Sequence, residues 1–289
     1  IDGTNYTEPG KSVLRIGVDV LPSIPQDTTD RNRTSPLAFT GNKFEFRMLG
    51  SSQSISDTNI ALNTIMADTL ARFADELEAS SDFDAALQDL ICKSLKKHQR
   101  IIFNGNGYSE QWKQEAAQRG LSNYASSADA LNAYLDPKII RLVSSRNVFS
   151  EEEFRARYEV YNQSYKKHIV IEARTALDMV FTQILPAAFA YTKSLCDTAH
   201  CKQGLNAPHN AEVYLIQTLS HLTDQIYHNA TKLQDILEQI PDGIAQASEY
   251  CKSTILPMMQ IIRSDADCLE QYTDKNYWPY PVYSDLLYY

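Results

Sequence analysis

Residues 213–240 read VYLIQTLSHLTDQIYHNATKLQDILEQI, and this stretch decides the fold class. Its apolar residues recur at helical spacing over about eight turns. They are Val213, Ile216, Leu219, Leu222, Ile226, Leu233, Leu237 and Ile240. Because an α-helix has about 3.6 residues per turn, this spacing puts them on one face. The pattern predicts a long amphipathic helix that packs its apolar face against other helices.

The same period continues over most of the chain after Asp57. Predicted helices begin at Ser56 or Asp57, which could cap the start, then at about Phe83, at Ser109-Glu110, at Phe154 (running on through Phe181) and at about Ile244. The last of these extends to Tyr272, with a kink expected near Pro257. Residues 104–107, NGNG, lack the lysine and hydroxyl of a Walker motif and are interpreted as a turn. Long amphipathic helices with short polar breaks predict an antiparallel helical bundle.

The first fifty residues follow a different period. Leu14 begins an alternation of apolar residues through Ile16, Val18 and Val20, which is typical of a half-buried strand and ends at two prolines, Pro22 and Pro25. Residues 43–49, KFEFRML, alternate in the same way after the turn-prone Gly41-Asn42. We therefore expect an α+β fold, with strands in residues 1–56 and a large mainly helical domain in residues 57–289.

Composition excludes several classes of protein. The chain has 289 residues, 43% of them hydrophobic and 22% charged, as in soluble globular proteins. Its net charge of −9 argues against nucleic-acid binding, and residues 184–190 are too short an apolar run to cross a membrane. Five scattered cysteines do not suggest a disulfide framework, and Cys196, His200 and Cys201 lack zinc-site spacing. The chain has no signal peptide and begins at Ile1, so we expect a fragment or a processed chain.

One segment carries residues suited to chemistry. If residues 43–49 form a strand, alternation places Lys43, Glu45 and Arg47 on one face, with successive residues roughly 6.6–6.8 Å apart. A carboxylate between two cations can bind a divalent metal while the cations hold anionic oxygens beside it, which suits phosphoryl transfer. The alternative is a solvated edge strand whose three charges pair with each other. Spacing alone favours that alternative.

Several sequence blocks resemble one enzyme family. Asn32-Arg33-Thr34-Ser35, followed by Phe44-Glu45-Phe46-Arg47, resembles the Asn-Arg-Ser/Thr and Glu-x-Arg elements of glutamine synthetases. The fuller text, DTTDRNRTSPLAFTGNKFEFRMLGSS at 27–52, is similar to the type III branch. The resemblance continues through FNGNGYS at 103–109, IEARTALDM at 171–179, ILPA at 184–187 and YWPYPVYSDLL at 277–287.

The resemblance implies a role for each charged residue. Glu45 would be a ligand of one of two catalytic divalent cations, Mg²⁺ or Mn²⁺, and Arg47 would contact the substrate glutamate and its phosphorylated form. Arg33 would face the ATP phosphates, and Lys43 would lie near the nucleotide. Other branches carry a second nucleotide-contacting arginine five residues after the first, where this sequence has Ala38. That contact must come from elsewhere or be missing.

The implied activity is ATP-dependent ligation of glutamate and ammonia through a γ-glutamyl phosphate, in a cytoplasmic homo-oligomer with no nucleic-acid or membrane partner. The family's other metal ligands would lie upstream of Ile1, so the chain alone is expected to be inactive. A rival hypothesis is a non-catalytic helical module for oligomerisation or interaction. The aromatic tail at 277–283, YWPYPVY, is expected to dock on its own domain or on a neighbouring subunit.

Overall fold

The computed structural model describes residues 13–14, 24–25, 37–39, 43–47, 54–103, 105–281 and 283–287. The chain divides into two compact units. Unit 1 comprises Ile1–Tyr124 and Arg141–Val148, and unit 2 comprises Ala125–Ile140 and Phe149–Tyr289. In the described part of the chain, no helix is long and apolar enough to span a membrane. The expected boundary between residues 56 and 57 stays a prediction.

Unit 1 contains two short antiparallel strand pairs. In the first, β1 (Val13–Leu14) pairs with β2 (Ile24–Pro25). In the second, β3 (Leu37–Phe39) pairs with β4 (Phe44–Phe46). The predicted strand at 14–20 is represented by Leu14 alone, because residues 15–20 lie outside the described residues. The sequence did not predict β3, since LAF after a proline is too short to show alternation.

Side-chain caps mark the start of two of the helices of unit 1. The helical elements of this unit include α1 (Ser56–Glu78), α2 (Phe83–Lys97), a 3-10 turn at Gln99–Ile101 and α3 (Glu110–Gln118). Asp82 and Ser109 accept backbone hydrogen bonds from the first turns of α2 and α3, each at 3.1 Å. The expected cap by Ser56 or Asp57 was wrong. Both residues are already helical, and Ser54 Oγ accepts the Ser56 backbone N–H at 3.2 Å instead.

Two short helices follow, α4 (Ser127–Leu131) and α5 (Pro137–Ser145), with a 3-10 turn at Asn132–Leu135 between them. The long helices then begin with α6 (Glu151–Met179), which has a capping box formed by Ser150 and Glu153. Next come α7 (Leu185–Gly204), α8 (Asn210–Glu238), α9 (Ile244–Tyr250), α10 (Leu256–Tyr272) and the short α11 (Tyr283–Leu287).

The core of unit 2 is the one that the apolar stripe of α8 predicts. Leu219, Ile226 and Leu233 of that stripe are fully buried, as are Ile255 and Leu269 in the segment that packs against α8. Burying a Leu or Ile side chain contributes about 1.5–3 kcal/mol to folding. The predicted α+β fold with a large helical bundle is therefore confirmed.

Two π-helical turns interrupt the long helices, and each ends at the isoleucine of an Ile-Leu-Pro sequence. The turns are Val180–Ile184 and Cys251–Ile255, and each is followed directly by Leu-Pro. Proline lacks an N–H, and its ring clashes with the carbonyl four residues earlier in a regular helix. A π turn admits one extra residue and relieves that clash, so the chain continues as α7 and α10. One of these turns lies where the sequence predicts a kink at Pro257.

Candidate functional site

The charged face predicted for β4 is present in unit 1. Glu45 accepts a hydrogen bond from Arg47 Nη2 at 2.6 Å and lies 3.7 Å from Lys43 Nζ. The side chain of Glu45 is 38% exposed, that of Arg47 29% and that of Lys43 66%. Alternation along the strand thus brings the three charges together. A solvated edge strand would pair them in the same way, so their roles stay predictions.

The partner strand places a small residue beside Glu45. Ala38 lies directly opposite Glu45 in the β3–β4 pair, and directly opposed residues project from the same face. A long side chain at position 38 would therefore lie beside the Glu45 carboxylate. Phe44 and Phe46 point to the other face and are 66% and 40% exposed among the described residues.

The chemistry of Glu45 fits a hard divalent cation. Mg²⁺ and Mn²⁺ prefer carboxylate oxygens, and the Glu45 carboxylate is half-buried and oriented by Arg47. Among the described residues, no three His, Cys, Asp or Glu side chains come together as a metal site. Any further ligands must therefore come from elsewhere. Arg33 and the Asn-Arg-Thr element around it lie outside the described residues.

Two ion pairs away from β4 link separate segments of the chain, and each lowers the pKa of its carboxyl group. Arg146 donates to Asp68 Oδ1 through Nε at 3.0 Å and Nη2 at 2.8 Å, and this hydrogen bonding lowers the pKa of Asp68. In unit 2, the ammonium of Lys252, in the second π turn, lies 2.7 Å from Asp129 Oδ1 in α4 and lowers the pKa of Asp129. Each carboxylate joins two elements of one unit, so we assign both pairs a structural role.

The aromatic tail docks in part on unit 2. Trp278 is only 8% exposed, and its ring lies 6.2 Å from that of Tyr280 in a T-shaped contact. Tyr280 is half-buried. Tyr277 is 38% exposed, and its ring centre lies 5.3 Å from that of Tyr191. Docking on its own domain is confirmed for Trp278. The side chain of Tyr283 lies outside the described residues.

A groove beside this tail was not predicted from the sequence. It has a volume of about 520 Å³ and is lined mainly by α6, the first π turn, α10 and the tail. Its walls include Met179, Met259 and Trp278, with Glu270 among the polar groups. No short motif could have indicated it, because its lining comes from segments about a hundred residues apart. Cys196 and Cys201 are exposed thiols.

Comparisons with known proteins agree with the resemblance found in the sequence. Residues 86–203 match the family model of the glutamine synthetase C-terminal domain. The whole chain is 35% identical to a type-3 glutamine synthetase of Dictyostelium discoideum and 33% identical to a glutamine synthetase of Bacteroides fragilis. A glutamine synthetase of Butyrivibrio fibrisolvens is 30% identical over 99% of the chain. In each case the chain spans 41% of the relative's length.

Proposed function

We infer, from the membership of this chain in the glutamine synthetase family, that it forms the C-terminal part of an ATP-dependent glutamate–ammonia ligase. The proposed reaction joins L-glutamate and ammonia through a γ-glutamyl phosphate, with ATP as the phosphoryl donor. Three relatives named glutamine synthetase match at least 99% of the chain, which supports the proposal. The chain spans 41% of their length, so the remainder of the active site would come from outside it.

The observation that carries the proposal is the similarity of the whole chain to relatives named glutamine synthetase, and the charged face beside β4 is where its chemistry would lie. Glu45 lies between two cations, with the nearer one, Arg47, at 2.6 Å. In phosphoryl transfer, catalysis consists mostly of positioning and of neutralising the charge on phosphate oxygens. A face that alternates cation, carboxylate and cation supplies a metal ligand and two anion-binding groups within a few ångströms.

Each residue has a distinct proposed task. Glu45 would hold Mg²⁺ or Mn²⁺, which when bound neutralises phosphate charge. Arg47 would bind glutamate and its phosphorylated form, because a guanidinium matches carboxylate and phosphate oxygens in pairs. Arg33 and Lys43 would hold the nucleotide phosphates. Lys43 is the most exposed of the three on β4, which suits a group that reaches outward to a ligand.

The rest of the proposal concerns assembly and place. We propose a cytoplasmic homo-oligomer in which residues 1–56 complete the catalytic sheet and residues 57–289 form the helical domain. No nucleic-acid or membrane partner is proposed, consistent with the net charge of −9.

The alternative is a non-catalytic helical module for oligomerisation or interaction. One observation favours it: α1 exposes Leu62, Ile65, Met66 and Leu70, each at 39% or more. Contiguous exposed apolar side chains usually mark a contact with another surface. The two hypotheses differ in what they require of Glu45, because only the ligase needs its carboxylate.

The test is Glu45→Gln in the full-length protein. The ligase proposal expects kcat to fall by at least about a hundredfold, since a group that stabilises transition-state charge is removed. The melting temperature should change little, because a partly exposed ion pair contributes little stability. Glu152→Gln, an exposed carboxylate on α6, is the matched control and should leave both unchanged. Full activity in a folded Glu45→Gln protein would refute the assignment and favour the interaction module.

A further inference from the structure

The groove beside the aromatic tail has the dimensions of a small-molecule site. Its volume of about 520 Å³ falls within the roughly 300–1,000 Å³ typical of ligand pockets. Apolar side chains form most of the wall, with Val180 and Ile184 contributed by the first π turn. π turns are often found at functional sites. The described lining residues all belong to unit 2.

The charges around the groove favour a cation. Glu270 lines it and is half-buried, and within the described part of the chain no lysine, arginine or histidine lies within salt-bridge distance of it. Arg263 also lines the groove, but its Nε already donates to Asp267 at 2.6 Å. This pair largely neutralises itself, so the carboxylate of Glu270 remains as the uncompensated charge.

Aromatic groups add a second and independent observation. The hydroxyl oxygen of Tyr280 is buried and has no hydrogen-bond partner among the described groups. Burial raises the pKa of Tyr280, and the carboxylate of Asp178 raises it further, so the hydroxyl stays protonated at neutral pH. Trp278 and Tyr280 both line the groove, and aromatic side chains can attract cations.

We propose that this groove binds a small organic cation, with an apolar body between Met179, Met259 and Trp278 and an ammonium group beside Glu270. The apolar body would replace water along the hydrophobic wall. The ammonium group would pair with the Glu270 carboxylate. This site is separate from the β4 residues of the proposed ligase, which lie in unit 1.

The test is a titration of the 289-residue chain with two matched probes, naphthylethylammonium and naphthylacetate. Methyl NMR of isotopically labelled methionines gives the readout, because Met179 and Met259 line the groove whereas Met66 of α1 does not. We expect saturable shifts of the first two signals with the ammonium probe and none at Met66. The acetate should bind about tenfold more weakly, as its charge is repelled rather than paired.

Two variants identify the groups responsible. Glu270→Gln should weaken the ammonium probe by on the order of fivefold to tenfold and leave the acetate no weaker. Glu238→Gln, an exposed carboxylate at the end of α8, is the matched control and should change neither affinity. Equal binding of both probes, shifts that do not saturate, or an unchanged affinity in Glu270→Gln would overturn the proposal. These readouts do not depend on catalysis, so they stand or fall independently of ligase activity.

Discussion

Replacing Trp278 by alanine should be among the most destabilising single substitutions in the helical bundle. Trp278 is 8% exposed and belongs to the main core cluster, although it lies beyond the end of α10. A tryptophan buries roughly 150–250 Å², which at about 25 cal/mol per Å² gives roughly 4–6 kcal/mol as an upper bound.

The expected loss for Trp278→Ala is smaller than that bound. Measured truncations of buried aromatic residues to alanine cost about 3–5 kcal/mol. Trp278 also lines the open groove, so water can enter the vacated space and no sealed cavity forms. We therefore expect a loss of about 3 kcal/mol. Tyr277→Ala should cost only about 1 kcal/mol, because that ring is 38% exposed and contributes mainly its contact with Tyr191.

Urea denaturation followed by circular dichroism measures both losses, and amide hydrogen exchange in α8 and α10 assigns them to unit 2. Tyr277→Ala is the matched control, since it alters the neighbouring aromatic residue of the same tail. Deletion of residues 277–289 should destabilise at least as much as Trp278→Ala, or change the oligomer measured by sizing with light scattering. A loss below about 1 kcal/mol for Trp278→Ala would show that the tail does not stabilise the bundle, contrary to its burial.

Three further predictions follow from the ion pairs and the proposed site. The chain alone should form no glutamine from glutamate, ammonia and ATP, and turnover above background in a contamination-controlled sample would contradict this. In the full-length protein, Arg33→Ala should mainly weaken the use of ATP, and Arg47→Ala should mainly weaken the use of glutamate. Each defect should be on the order of a hundredfold in steady-state kinetics with one substrate varied at a time. Identical defects toward both substrates would contradict the separate roles of the two arginines. Arg146 lowers the pKa of Asp68 below its ordinary 3.8. The contribution of this ion pair to folding stability is therefore fully present above that value and is lost as pH falls through the folded-state pKa. Arg146→Met should therefore flatten the loss of stability below about pH 4 in acid titrations, whereas Arg155→Met, which removes an exposed pair with Glu151, should not.

The helical bundle was predictable because one signal repeats through it. Residues 213–240 carry the helical period continuously, and α8 extends over Asn210–Glu238 as that period requires. Its stripe faces the core at Leu219, Ile226 and Leu233, so the burial was predictable as well. A long periodic segment averages over many residues, and single exceptions do not change the result.

Short features were harder to predict because they depend on a few atoms. Ser56 and Asp57 are both good capping residues, but the helix starts at Ser56 itself, one residue earlier than a Ser56 cap would require and two earlier than an Asp57 cap. The strand β3 has three residues, too few to show a period, and the chain forms it by pairing with β4. For β3 the deciding interaction is the contact with a neighbouring strand, which local propensity does not contain.

The candidate site was predictable in its composition and not in its surroundings. Alternation alone places Lys43, Glu45 and Arg47 on one face, and the ion pairs of the structure agree. Position 38 shows what alternation omits. Ala38 is opposite Glu45 only because β3 and β4 pair in one register, and a shift of one residue would turn Leu37 or Phe39 toward that carboxylate. An apolar side chain there would desolvate Glu45 and disfavour its charged form. Under the proposed ligase function, a bulky residue at Ala38 should therefore impair metal binding although every charged residue is retained.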